Sequence, residues 1–217
     1  MEQSYRSKGM PSIFSQPLYI DFFLGPSKEE ANEILKNYGG GRAAQTFLMN
    51  TKATALINPI DDGNNSYCLF LAIALTMEYV QLSNETNRVV RQTQQQKFHR
   101  LITQEMYAEQ RQNMARELLE KINQSGIQIS PHLNKYSVYE HVPLIQKYFD
   151  QLDPEKRCRI VVFGEYGMMK PLFKGKHRWR WTIPIYHYQN HFYGIRKINQ
   201  FFMVPKYCVD CESGLYY

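Results

Sequence analysis

A stretch apolar on every side, Tyr67-Cys68-Leu69-Phe70-Leu71-Ala72-Ile73-Ala74-Leu75, follows directly on a dense turn-and-cap signal, Asp61-Asp62-Gly63-Asn64-Asn65-Ser66. A helix of this kind has no polar face to give to water, so other elements must wrap it. It demands a domain with a substantial core. At 217 residues the chain is long enough for one such domain and too short for two full-sized ones. With 43% hydrophobic and 14% aromatic residues, disorder is not expected over most of the length.

The flanks say what wraps the helix. Residues 1–50 read as an N-terminal arm with one short strand in Leu18 to Leu24 and a short helix, which Ser27 and Glu30 cap and Gly39-Gly40-Gly41 ends. From Thr86 to Ser125, Val89, Val90, Phe98, Leu101, Ile102, Met106, Met114, Leu118, Leu119 and Ile122 fall near helical spacing. That predicts one long or two broken amphipathic helices ending at Gly126. Tyr139 to Phe149 gives a further short helix, and Arg159 to Phe163 a buried strand bounded by Gly164. Trp181 to Tyr188 alternates, Phe192 to Ile198 resumes the alternation, and Phe201 to Val204 follows as strand. Helices first and an antiparallel sheet second make an α+β domain.

Charge and cysteine usage narrow the setting. The formal charge is +6, but Lys and Arg are scattered, with clusters only at Lys170 to Arg180 and Arg196 to Lys197, so solubility explains the excess better than direct nucleic-acid binding. No apolar run approaches the roughly 18 residues that span a bilayer, and Met1 to Arg6 lacks a basic-then-apolar leader. Four cysteines, at 68, 158, 208 and 211, have no disulfide-framework density. A reducing interior, cytoplasm or nucleus, is expected, with no membrane partner.

In such a compartment a thiol can act as a nucleophile. It attacks an amide usefully only as thiolate, and a helix N-terminus favours that state through its unpaired N–H groups and dipole. Cys68 stands two residues after the expected cap Ser66. The same N–H groups can hold a developing oxyanion, with Asn64 and Asn65 as side-chain donors just upstream. The competing reading makes Cys68 a small hydrophobe of a core helix. A matching base shifts the balance, and His191 is the candidate. On an unbroken strand His187, Gln189 and His191 would share one face, so the Gln189 amide oxygen could orient the His191 ring, with Asn199 on the adjacent strand as the alternative third member. Cys on a helix start and His on a late strand suit a papain-like cysteine protease fold, with the central helix packed on an antiparallel sheet.

The string Asp61 to Ile73, containing Asp-Gly-Asn and Cys-Leu-Phe, resembles the nucleophile segment of ovarian-tumour-type deubiquitinases. From about Asn58 onward the chain also resembles the region preceding the catalytic core in protein-primed family B DNA polymerases of Maverick/Polinton elements. The carrying pieces are Tyr67 to Phe70, Tyr139 to Gln146, Phe173-Lys174-Gly175, Asn190 to Ile195 and Tyr207 to Cys211. Such regions resemble the deubiquitinases of herpesviral large tegument proteins, which hold an Asp two residues before the His, where this chain has Gln189.

These resemblances imply a catalytic domain over residues 51–205 and an isopeptidase cleaving after the C-terminal Gly of ubiquitin or ubiquitin chains. A monomer is expected, with nucleic acid reached only through a longer parent. Cys208 and Cys211 are half of a tetrahedral zinc set. His187 and Cys158 could complete it, but the resemblance implies that residues 206–217 begin a zinc-binding segment continuing in that parent. No cofactor is expected for the reaction itself. The rivals are a non-catalytic module beside a DNA polymerase, binding nucleic acid or a protein partner, and a protease for viral polyproteins.

Overall fold

The computed structural model describes residues 55–57, 67–131, 136–164, 169–188 and 191–215. The expected arm and helix of residues 1–50 lie outside them, as do Asn64, Asn65, Ser66 and Gln189. Among the described residues the elements in chain order are β1 (Leu56–Ile57), α1 (Cys68–Ser83), α2 (Arg88–Thr103), α3 (Ala108–Gln124), α4 (His141–Gln151), β2 (Cys158–Gly164), β3 (Pro171–Lys174), β4 (Trp181–Tyr188), β5 (His191–Ile195), α5 (Ile198–Phe201), β6 (Lys206–Cys208) and β7 (Ser213–Leu215). The class is α+β, and no described helix is long and apolar enough to cross a membrane.

A five-stranded sheet runs in the order β1-β5-β4-β2-β3, and β6 pairs with β7 in a separate hairpin. Every pairing is antiparallel except β2 with β4, which is parallel from Cys158↔Trp181 to Gly164↔His187. The wholly antiparallel sheet expected from sequence is therefore corrected to a mixed one. After β3, residues 175–180 carry the chain around the end of β2, so that β4 returns on β2's other side. Central β2 is buried along nearly its whole length, which is why it reads as a continuous apolar run rather than an alternation.

Each face of the sheet has its own core. On one, α1, α3 and α4 close over Ile160, Val162, Ile183, Ile185 and Phe192. On the other, Val161, Phe163, Tyr186 and Ile195 meet Phe201, Val204 and Tyr207. The strand expected at Phe201 to Val204 is instead α5 and the turn after it: Phe201 N–H donates to Lys197 O at 2.8 Å and Val204 N–H to Asn199 O at 2.9 Å. These apolar residues are buried by folding back over Phe163 rather than by strand alternation.

The helical region between Thr86 and Ser125 is broken, not continuous. Asn87 caps α2 by accepting from Val89 N–H and Val90 N–H. Gln104 takes an extended conformation, and the fully buried Arg111 donates to the carbonyls of Leu101 (2.8 Å) and Gln104 (2.9 Å), satisfying acceptors that the end of α2 leaves open. Helix α3 finishes where glycine was expected to stop it, Gly126 having a left-handed φ of 89°.

One position fixes how α1 lies on the sheet. A Cβ at Gly194 would collide with the Thr76 hydroxyl and stand 3.1 Å from the Ile57 side chain. Thr76 turns its hydroxyl back onto Ala72 O at 2.6 Å and is wholly buried. The missing side chain thus lets α1 settle directly on β5, which brings the first turn of α1 to the first residues of β5.

Candidate active site

Cys68 is the first residue of α1 and 8% exposed. Tyr67 occupies the cap position without making a side-chain cap hydrogen bond, so the helix starts one residue later than the expected Ser66 cap would have it. The backbone N–H groups of Phe192 on β5, of Leu69 and of Cys68 itself act to lower the thiol pKa. All three favour thiolate. Burial opposes them and is the larger effect, so the thiol is held above its ordinary pKa. A helix start lowers a thiol's pKa only where enough solvent or positive charge remains.

Phe192 belongs to the turn-back of β4 into β5, which carries both candidate histidines. The chain reverses between Tyr188 and His191, pairing Tyr188↔His191 and His187↔Phe192. Paired residues share a face. His187 therefore lies with Phe192 on the α1 face, their rings 4.6 Å apart, while His191 lies with Tyr193, 4.5 Å away, on the other. The expectation that His187 and His191 share a face is corrected, because it required a strand running straight through this point. The two imidazoles still sense each other: burial first, then the charge of His191, holds His187 below its ordinary pKa. His187 is thus a neutral base near pH 7.

Asn199 is on α5, not on an adjacent strand, and its amide oxygen accepts from Tyr207 N–H at 2.8 Å. That bond ties β6 to α5. Cys208 and Cys211 come together with sulfurs 3.0 Å apart. Cys158 is buried in the helix-side core, its thiol pushed up to about 12 by burial. Among the described residues no group of three or more His, Cys, Asp or Glu converges on a metal position.

Sequence reasoning passed over Tyr136. Its ring packs edge-on to Phe70 at 5.0 Å and to His141 at 5.3 Å, and burial, followed by neighbouring Tyr67 and Cys68, pushes its phenol up to about 12. The hydroxyl donates to Ser130 O at 3.4 Å. His141 accepts Ser137 N–H on Nδ1 at 2.9 Å, which leaves its proton on Nε2. Tyr136 stands in no recognisable motif, and His141 lies in the Tyr139 to Gln146 piece without being singled out there; the packing of Tyr136 on Phe70 and of His141 on Tyr136 discloses them. Comparison with family models, with curated proteins and with solved structures finds no match to this chain.

Proposed function

We propose that this domain is a cysteine hydrolase of papain-like type that cleaves isopeptide bonds after the C-terminal Gly of ubiquitin. The observation that carries the proposal is that Cys68, at the start of α1, shares one core with Phe192 on β5, the residue paired with His187 at the β4–β5 turn-back. Ubiquitin, an intracellular setting and a longer polymerase-bearing parent rest on the resemblances of the sequence.

In the reaction His187, whose side chain the register puts on the α1 face with Phe192, takes the thiol proton and the sulfur attacks the isopeptide carbonyl carbon, giving a tetrahedral oxyanion. Helix-start N–H groups are the donors at hand for that oxyanion. Collapse breaks the C–N bond as His187 returns the proton to the leaving lysine amine. Water, deprotonated by His187, then attacks the thioester, releasing the carboxylate and restoring the thiol. His191, the base expected from sequence, has its ring on the opposite face beside Tyr193 and is the alternative.

The test is incubation with ubiquitin bearing a thiol-reactive C-terminus. A single adduct on Cys68, lost in Cys68→Ala, is expected. Folded protein that takes no adduct, or takes it on Cys158, Cys208 or Cys211, refutes the assignment and returns Cys68 to the core.

A further inference from the structure

We propose that Cys208 and Cys211 form a redox-active dithiol that closes to a disulfide by exchange with low-molecular-weight disulfides. The pair lies at the turned end of the β6–β7 hairpin, with Cys211 exposed and Cys208 partly so. The other two thiols of the described residues, Cys68 and Cys158, are buried. Access alone therefore selects this pair.

Two uses commonly compete for a Cys-x-x-Cys pair. The sulfurs are 3.0 Å apart. A disulfide needs them at about 2.05 Å, whereas a tetrahedral zinc with Zn–S near 2.3 Å holds them at roughly 3.8 Å. The observed spacing lies between the two, so closing the disulfide asks for a movement of only about 1 Å. A dithiol needs these two sulfurs and no other group.

The two sulfurs are also unequal. Cys211 N–H donates to Cys208 Sγ at 3.3 Å, a bond whose direction is fixed because a backbone N–H can only donate. No described backbone donor serves Cys211 Sγ. The one described backbone donor at the pair therefore serves Cys208, the sulfur placed to attack first. The surrounding hairpin is firmly held: Asp210, between the two cysteines, accepts from the buried Arg159 at 2.6 Å and pairs with Arg178 at 3.1 Å, while Glu212 pairs with Lys174. A turn anchored at this point keeps the sulfurs together in the reduced state, which favours ring closure over two separate adducts.

The exchange has two steps. Cys208 thiolate attacks one sulfur of a small disulfide such as oxidised glutathione, forming a mixed disulfide and expelling one thiolate. Cys211, deprotonated, then attacks Cys208 Sγ and expels the second. The protein loses two electrons and two protons, and the small disulfide is reduced to two thiols.

The full chain, reduced and then equilibrated in glutathione buffers of graded ratio, is quenched, alkylated and mapped by mass spectrometry. The expected result is one Cys208–Cys211 disulfide whose oxidised-to-reduced ratio rises in proportion to oxidised glutathione over the square of reduced glutathione, with Cys158 unmodified until unfolding. Cys211→Ser should accumulate one glutathione on Cys208, and Cys208→Ser far less on Cys211, both with unchanged circular dichroism. A pair that stays reduced in oxidised glutathione alone overturns the proposal. So does preferential glutathione capture at Cys211, or a stoichiometric zinc that must be chelated before the pair reacts. Because no step involves Cys68, each of these outcomes is independent of the hydrolase reading.

Discussion

Gly194 on β5 lies so close to Thr76 on α1 that a single methyl group would not fit between them. The Ile57 side chain on β1 also stands within 3.1 Å, and the Thr76 hydroxyl can turn away only by giving up its bond to Ala72 O. Gly194→Ala must push α1 off the sheet. Overpacking of this kind costs about 1–3 kcal/mol, readable as a lower urea midpoint. Because the same seating brings Cys68 to Phe192, labelling by the ubiquitin probe should slow more than stability alone explains. A variant with wild-type midpoint and wild-type labelling would show that the helix has room to spare.

The identity of the base is settled by comparing two histidines. His187→Ala should lower the chemical step by roughly a hundredfold to ten-thousandfold, the usual range for removing a general base, while His191→Ala, on the face opposite α1, should be much milder. The acid limb of the rate profile should then follow the depressed pKa of His187 and lie below that of an ordinary histidine. If turnover survives His187→Ala and collapses with His191→Ala, the base is the histidine expected from sequence, and the register at the turn-back differs in solution.

These two cases also mark how far the sequence could be read. The all-apolar run of α1, the buried β2 and the glycine end of α3 were legible because each is a local pattern: no polar face, a continuous apolar strand, a left-handed stop. The turn-back between Tyr188 and His191 was not, because polar-apolar alternation continues on both sides of it and the intervening Gln189-Asn190 lacks the glycine that signals a tight turn. The parallel pairing of β2 with β4 depends on which way residues 175–180 cross the sheet, a choice made by tertiary packing. The raised pKa of the Cys68 thiol was not foreseen, since burial at a helix start depends on what covers it.

Alkaline pH should destabilise the fold before it breaks any ion pair. Cys158, Tyr136 and Tyr207 are all pushed up to about 12, chiefly by burial. In the unfolded chain a Cys ionises near 8.5 and a Tyr near 10, so from about pH 8.5 upward the unfolded state releases protons that the folded state retains. A raised folded pKa stabilises fully below the unfolded value and is lost as pH climbs through the folded one. The thermal midpoint should therefore fall steadily between about pH 9 and 12. Cys158→Val, which removes one of these groups while keeping its bulk, should make the decline shallower. An unchanged slope would mean that Cys158 is not buried in solution.

The last prediction separates Gln189 from Asn199 as the residue that orients the base. Asn199 has its amide oxygen bound to Tyr207 N–H at 2.8 Å, on the sheet face opposite α1. Asn199→Ala leaves that N–H without its partner, which costs about 1–3 kcal/mol if the group stays dry. It should lower the thermal midpoint while leaving probe labelling of the folded protein near wild type. Gln189 immediately precedes Asn190 and His191 in the chain, and an amide oxygen can accept a ring N–H. Gln189→Ala should cost on the order of tenfold to a hundredfold in turnover of a ubiquitin C-terminal amide, less than loss of the base itself, because a neutral acceptor stabilises imidazolium weakly. The double variant discriminates further: independent roles give additive losses, one structural and one kinetic, whereas members of a single catalytic unit do not add. A large kinetic loss in Asn199→Ala at unchanged stability would move the role to Asn199. No kinetic loss in either variant would leave Cys68 and its histidine as a dyad, with the imidazole held by main-chain groups.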